Sequence, residues 1–96
     1  MTRNDILQTL SEFERSKGDE FGIVRIGLFG SAVRDHIADE GDVDVVVELA
    51  NPDLLTLVGI KQDLEALLQR PVDVVRYRET MNAFLRQRIE REAIYV

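Results

Sequence analysis

The 96-residue chain carries 12 basic and 18 acidic residues, a formal net charge of -6 that repels polyanions and argues against electrostatic capture of DNA or RNA as its main task. Its hydrophobic and charged fractions, 45% and 31%, are those of an ordinary globular protein rather than a disordered or membrane one, and the absence of cysteine leaves neither disulfides nor thiolate metal sites. The length predicts one domain over residues 1–96 with a modest core; with no signal-peptide pattern and no run of spanning length, the expected setting is the cytoplasm, away from membranes.

Ile6, Leu7, Leu10 and Phe13 recur at helical spacing behind Thr2 and Asp5, which form a start signal, and Gly18 stands as a stop, so a helix is predicted over residues 3–17. Ile23–Phe29 is a β-branched and apolar run broken by Arg25 and closed by Gly30, a strand ending in a tight turn. Ser31 then caps a short helix running to position 36 or 37, and residues 38–41 form a polar loop. Val43–Leu49 is the strongest strand in the chain and is expected to be central. Asn51-Pro52 reads as the start of a helix carrying Leu57, Ile60, Leu64, Leu67 and Leu68, weakened at Gly59. Pro71 opens a short strand over 72–77, and Thr80 caps a last helix with Met81, Phe84, Leu85 and Ile89 on one face. Strands alternating with helices predict an α/β layer with helices covering one side of a small sheet.

Aspartate is a poor strand former and costly to bury unpaired, yet Asp42 and Asp44 stand at the mouth of the valine-rich strand. Side chains alternate along a strand, so the two share a face and Val43 points away. Hard carboxylate oxygens suit magnesium, which fills its remaining positions with water and phosphate oxygens. Asp73, second in the next strand, joins them if the two strands are neighbours. Upstream, Gly30 permits close backbone approach and Ser31 begins a helix whose N–H groups favour phosphate, so a nucleoside triphosphate fits between the turn and the carboxylates.

Gly30-Ser31, ten intervening residues and Asp42-Val43-Asp44 together resemble the signature of the nucleotidyltransferase superfamily related to DNA polymerase beta. At this length the chain is most similar to the minimal nucleotidyltransferases, the antitoxins of type VII pairs with HEPN-domain toxins. The opening helix, Arg34 after the turn, the Asp73 strand and the closing helix ending Glu92-Ala93-Ile94-Tyr95-Val96 extend the resemblance over nearly the whole chain. It implies a small mixed β-sheet with helices packed on it. It also implies that Gly30, Ser31 and Arg34 bind the nucleotide, and that Asp42, Asp44 and Asp73 form the catalytic, metal-binding set. Asp42 and Asp44 would hold two Mg2+ ions, with Asp73 assisting deprotonation of the attacking hydroxyl. The implied reaction moves AMP from ATP to a tyrosine of a cognate HEPN ribonuclease toxin, within a hetero-oligomeric complex and without direct nucleic-acid binding. Two departures stand out: Gly41 replaces a serine or threonine before the first aspartate, and Asp35 replaces a glycine after the arginine. They keep open an antitoxin that acts by binding alone; a small-molecule transferase ranks lower, because the chain has no extra length for an acceptor pocket.

Blander readings stand beside these. Asp42 taken singly is a turn residue, Asp73 an edge-strand residue facing water, and Arg34 a partner for Asp35 or Asp39. His36 has no second histidine and reads as an exposed helix end. Arg86, Arg88 and Arg91, interleaved with Glu90 and Glu92, read as a solvated helix face, and Tyr77, Met81, Phe84 and Tyr95 as core or partner-facing residues.

Overall fold

The computed structural model describes residues 1–33 and 41–96. Helix α1, Arg3–Phe21, starts on a capping box: the Thr2 hydroxyl accepts from the Asp5 N–H at 3.2 Å and the Asp5 carboxylate from the Thr2 N–H at 2.9 Å. It runs past Gly18, where the sequence predicts an end, because Phe21 two turns beyond Phe13 stacks on it with ring centroids 5.9 Å apart. The stop is Gly22, in the left-handed conformation at φ 68°.

Strand β1 (Ile23–Phe29) leads into a single 3₁₀ turn, Gly30–Val33, the described part of the predicted short helix. Arg34, Asp35 and His36 lie outside the described residues. After β2 (Val43–Leu49) comes α2 (Leu54–Leu68), capped not by Asn51 but by Asp53, whose carboxylate accepts from the Leu55 N–H at 2.8 Å. Asp53 is as good a cap as asparagine, and Pro52 then falls outside the helix. Gly59 within α2 makes room for Phe21, since a Cβ there would stand 3.1 Å from the Phe21 ring.

Strand β3 (Val72–Arg76) precedes α3 (Ala83–Glu92), whose cap is Asn82 rather than Thr80, its side chain accepting from the Leu85 N–H at 3.1 Å. Met81 therefore precedes the helix, and Phe84, expected on its inner face, is 86% exposed. The helix stops at Glu92 instead of running to the C-terminal Val96 as expected: Ala93 is extended, and Ile94–Tyr95 form a further strand, β4, paired with β1. The four strands form one sheet in the order β3-β2-β1-β4. Strand β2 runs antiparallel to β1 and parallel to β3, and β4 lies antiparallel along β1.

Helices cover both faces of this mixed sheet rather than one. Ile6, Leu10 and Phe13 of α1 and Ile60, Leu64 and Leu68 of α2 pack with Ile26, Leu28, Val43, Val45, Val47 and Val72 in the main core. On the other face a smaller cluster joins Phe29, Val46 and Ile89, flanked by Val75, Tyr77, Met81, Leu85 and Tyr95. No helix among the described residues is long and apolar enough to cross a membrane.

Candidate active site

The two-residue period of β2 buries Val43, Val45 and Val47 in the main core, which turns Asp44 to the opposite face beside Val46. Pairing then sets its neighbours. Asp44 is opposite Phe29 on β1 and in register with Asp73 on β3, so two carboxylates stand on adjacent parallel strands, roughly 5 Å apart at the backbone. The condition set for Asp73, that its strand lies beside β2, is met. Asp42, immediately before β2, is exposed and close enough to raise the charge burden on Asp44.

Helix α2 fixes where β3 begins. Lys61 Nζ donates to the Val72 carbonyl at 2.6 Å, and the Glu65 carboxylate accepts from the Val72 N–H at 2.9 Å. The two side chains pair at 3.2 Å, so both backbone groups of the residue before Asp73 are held from one helix. On the other side, Arg3 Nη1 donates to the Val33 carbonyl at 3.1 Å, tying α1 to the end of the 3₁₀ turn.

Gly30 is buried at φ 76°. A Cβ there would run into the Asp44 carboxylate and stand 3.3 Å from Arg88 Nη2. The missing side chain is therefore the space in which the Asp44 carboxylate lies, and the turn and Asp44 form one corner. Ser31, first residue past that glycine, is exposed at its edge. The Asp44 carboxyl is pushed above its ordinary value, first by burial and then by Asp73, with Asp42 adding and the Arg88 guanidinium opposing. Among the described residues, burial and the neighbouring aspartates thus outweigh Arg88 at this carboxyl.

Among the described residues no group of three or more His, Cys, Asp or Glu side chains encloses a metal by itself. A magnesium site does not demand such a cage: one or two carboxylates suffice when water and substrate phosphates complete the shell. Asp42 and Asp44 beside the open Gly30 corner match that donor set. A groove of about 470 Å³ lies elsewhere, beyond the far ends of β2 and β3 among Pro52, Leu57, Arg76, Met81 and Leu85.

Arg88 is the residue of this corner that sequence reasoning places in solvent. Its signal was its position one residue before Ile89, the residue α3 buries. Only a helix packed on the carboxylate face converts that position into proximity. Arg25, which interrupts the apolar run of β1, is similarly accounted for: it pairs with Glu48 at 2.8 Å and stacks over Tyr95 and Tyr77, at 4.3 and 5.3 Å from their ring centres.

The glycine-serine turn is thus folded against Asp44, with Asp73 in register on the neighbouring strand. Residues 7–96 match the nucleotidyltransferase domain family, and the chain belongs to it. Over 97 aligned residues it is 32% identical to protein adenylyltransferase MntA of Thermococcus cleftensis, taking in 100% of this chain and 97% of that protein. A solved structure assigned to the minimal nucleotidyltransferases superposes with a TM-score of 0.80 at 28% identity, covering 98% of this chain and 95% of the other. The fold is also shared with a chain of the complex between tri-AMPylated Shewanella oneidensis HEPN toxin and MNT antitoxin, with a TM-score of 0.71 at 21% identity over 97% of this chain and 70% of that one.

Proposed function

We propose that this chain is the antitoxin of a HEPN/MNT pair, a magnesium-dependent adenylyltransferase that moves AMP from ATP to a tyrosine of its cognate HEPN toxin in the cytoplasm. The observation that carries the reading is the corner in which Asp44, in register with Asp73, occupies the space left by Gly30. The full-length likeness to MntA of Thermococcus cleftensis supports the protein-directed reaction, and the fold shared with an MNT antitoxin supports the partner.

In this mechanism the backbone N–H groups of the Gly30-Ser31 turn, with Arg34, hold and orient the triphosphate. Magnesium ions held by Asp42 and Asp44 would neutralise phosphate charge and stabilise the attacking and leaving oxygens of an in-line displacement. Asp73, exposed on the edge strand, accepts the phenolic proton and passes it to water. The tyrosine oxygen bonds to the α-phosphorus as the bond from that phosphorus to the bridging oxygen breaks, and pyrophosphate leaves with the electron pair.

The test is intact-mass spectrometry of the toxin encoded beside this chain, after incubation with the protein, ATP and magnesium, against an Asp42→Asn, Asp44→Asn double variant. One or more AMP additions with the wild type alone are expected, and their number counts the transfers. An unmodified toxin that is nonetheless neutralised in a stable complex would replace this reading with inhibition by binding.

A further inference from the structure

The α3 face brings one cation to the corner. Ile89 anchors the helix in the smaller cluster, and Arg88 beside it reaches over the sheet, its guanidinium carbon 5.7 Å from the centre of the Phe29 ring. Its Nε donates to the Glu92 carboxylate at 3.0 Å, an i,i+4 pair that holds one edge of the guanidinium on its own helix. Nη2 lies 3.3 Å from where a Cβ on Gly30 would stand, a position that the Asp44 carboxylate also crowds. The side chain is 48% exposed, so an incoming ligand can reach it.

Among the described residues Arg88 is the guanidinium that opposes the charge of Asp44, Asp73 and Asp42, and a divalent cation on the aspartates would weaken that attraction. Across the Gly30 turn, its donors would then face the oxygens of a bound phosphate. A planar guanidinium forms short, charge-assisted hydrogen bonds with such oxygens, and a half-exposed side chain has room to adjust. We propose that Arg88 is a nucleotide-binding residue: counter-ion of the carboxylate corner in the metal-free protein, and ligand of the triphosphate once the metal and nucleotide are bound. This inference rests on the transferase reading and assigns to α3 a part in substrate binding.

Isothermal titration of the purified protein with the non-hydrolysable ATP analogue AMP-PNP, in magnesium, tests it without needing turnover. Loss of one charged contact should weaken binding by Arg88→Ala about tenfold or more. Arg88→Lys, which keeps the charge and can still pair with Glu92, should recover part of it. Arg91→Ala removes the same charge from an exposed position of the same helix and should leave the dissociation constant within about twofold. Melting temperatures of each variant in EDTA separate lost contact from lost fold. Binding by a folded Arg88→Ala within twofold of wild type, or an equal loss in Arg91→Ala, overturns the role given to Arg88. If the wild type binds and the Asp42→Asn, Asp44→Asn variant does not, that failure leaves the transferase reading standing. No binding by the wild type overturns both.

Discussion

At Asp44 the requirements of folding and of chemistry oppose one another. Its carboxyl titrates above its ordinary value of 3.8, chiefly through burial and then through Asp73, with Arg88 offsetting only part. A carboxyl whose value is raised on folding favours the folded state fully while protonated, below the unfolded value. That advantage is lost as pH rises through the raised folded value. Asparagine at this position stays neutral throughout. In EDTA, Asp44→Asn should therefore melt above the wild type at about pH 7, and the gap should close as the pH falls below 3.8. In magnesium and ATP the order should reverse, because the wild type gains ligand stabilisation that the variant cannot. Calorimetric scans across pH, with and without ligand, measure both effects; a variant less stable than the wild type in EDTA at neutral pH would show that Asp44 is already compensated. The neighbouring glycine makes the same point through geometry. Gly22 and Gly30 share a left-handed backbone, but a Cβ at Gly22 meets nothing within 4 Å whereas one at Gly30 meets the Asp44 carboxylate. The first glycine serves the fold alone; the second also serves the site.

Strand β4 shows how a short element depends on a single absent side chain. Gly27 lies opposite Tyr95, and a Cβ on it would come within 2.8 Å of both the Ile94 carbonyl oxygen and the Tyr95 ring. Gly27→Val should push the C-terminal strand off β1 at a cost of about 1–3 kcal/mol, read as a lower urea midpoint, with amide exchange accelerated at Val96, whose N–H bonds the Ile26 carbonyl at 3.0 Å. A variant as stable as the wild type would mean that the strand reseats without cost. The same strand marks the limit of what the amino-acid order reveals. β1 and β2 were legible because long β-branched runs report burial directly, and the start of α1 because Thr2 and Asp5 satisfy the first free N–H groups. Two residues of β4 carry no periodicity, and the ends of α1, α2 and α3 each offered two chemically sound caps between which only packing decides. The corner was legible in part. The spacing of Gly30, Ser31, Asp42 and Asp44 placed them together, whereas Arg88 required knowledge of which sheet face α3 covers.

Across the whole molecule, stability is divided unequally between the two faces of the sheet. Among the described residues, the face under α1 and α2 joins fourteen buried residues into one core, while the face carrying the carboxylates rests on three: Phe29, Val46 and Ile89. Helix α3 buries only Ile89 of its ten residues, so it is readily released while the main core stays folded. Amide exchange should accordingly be faster along Ala83–Glu92 than in β2 or in the buried turns of α2. Ile89→Ala removes the single anchor and should cost about 2–5 kcal/mol within α3 if the helix is fully docked, or less if it already opens locally. Exchange mass spectrometry distinguishes these outcomes, because only the variant's α3 peptides should lose protection while those of β2 keep theirs. If β2 loses protection to the same degree, the two faces unfold as one unit and α3 is no separate lid on the site. Where α3 does open alone, Arg88 leaves the corner with it, and weaker nucleotide binding in Ile89→Ala should follow from a helix that carries no carboxylate ligand of its own into the corner.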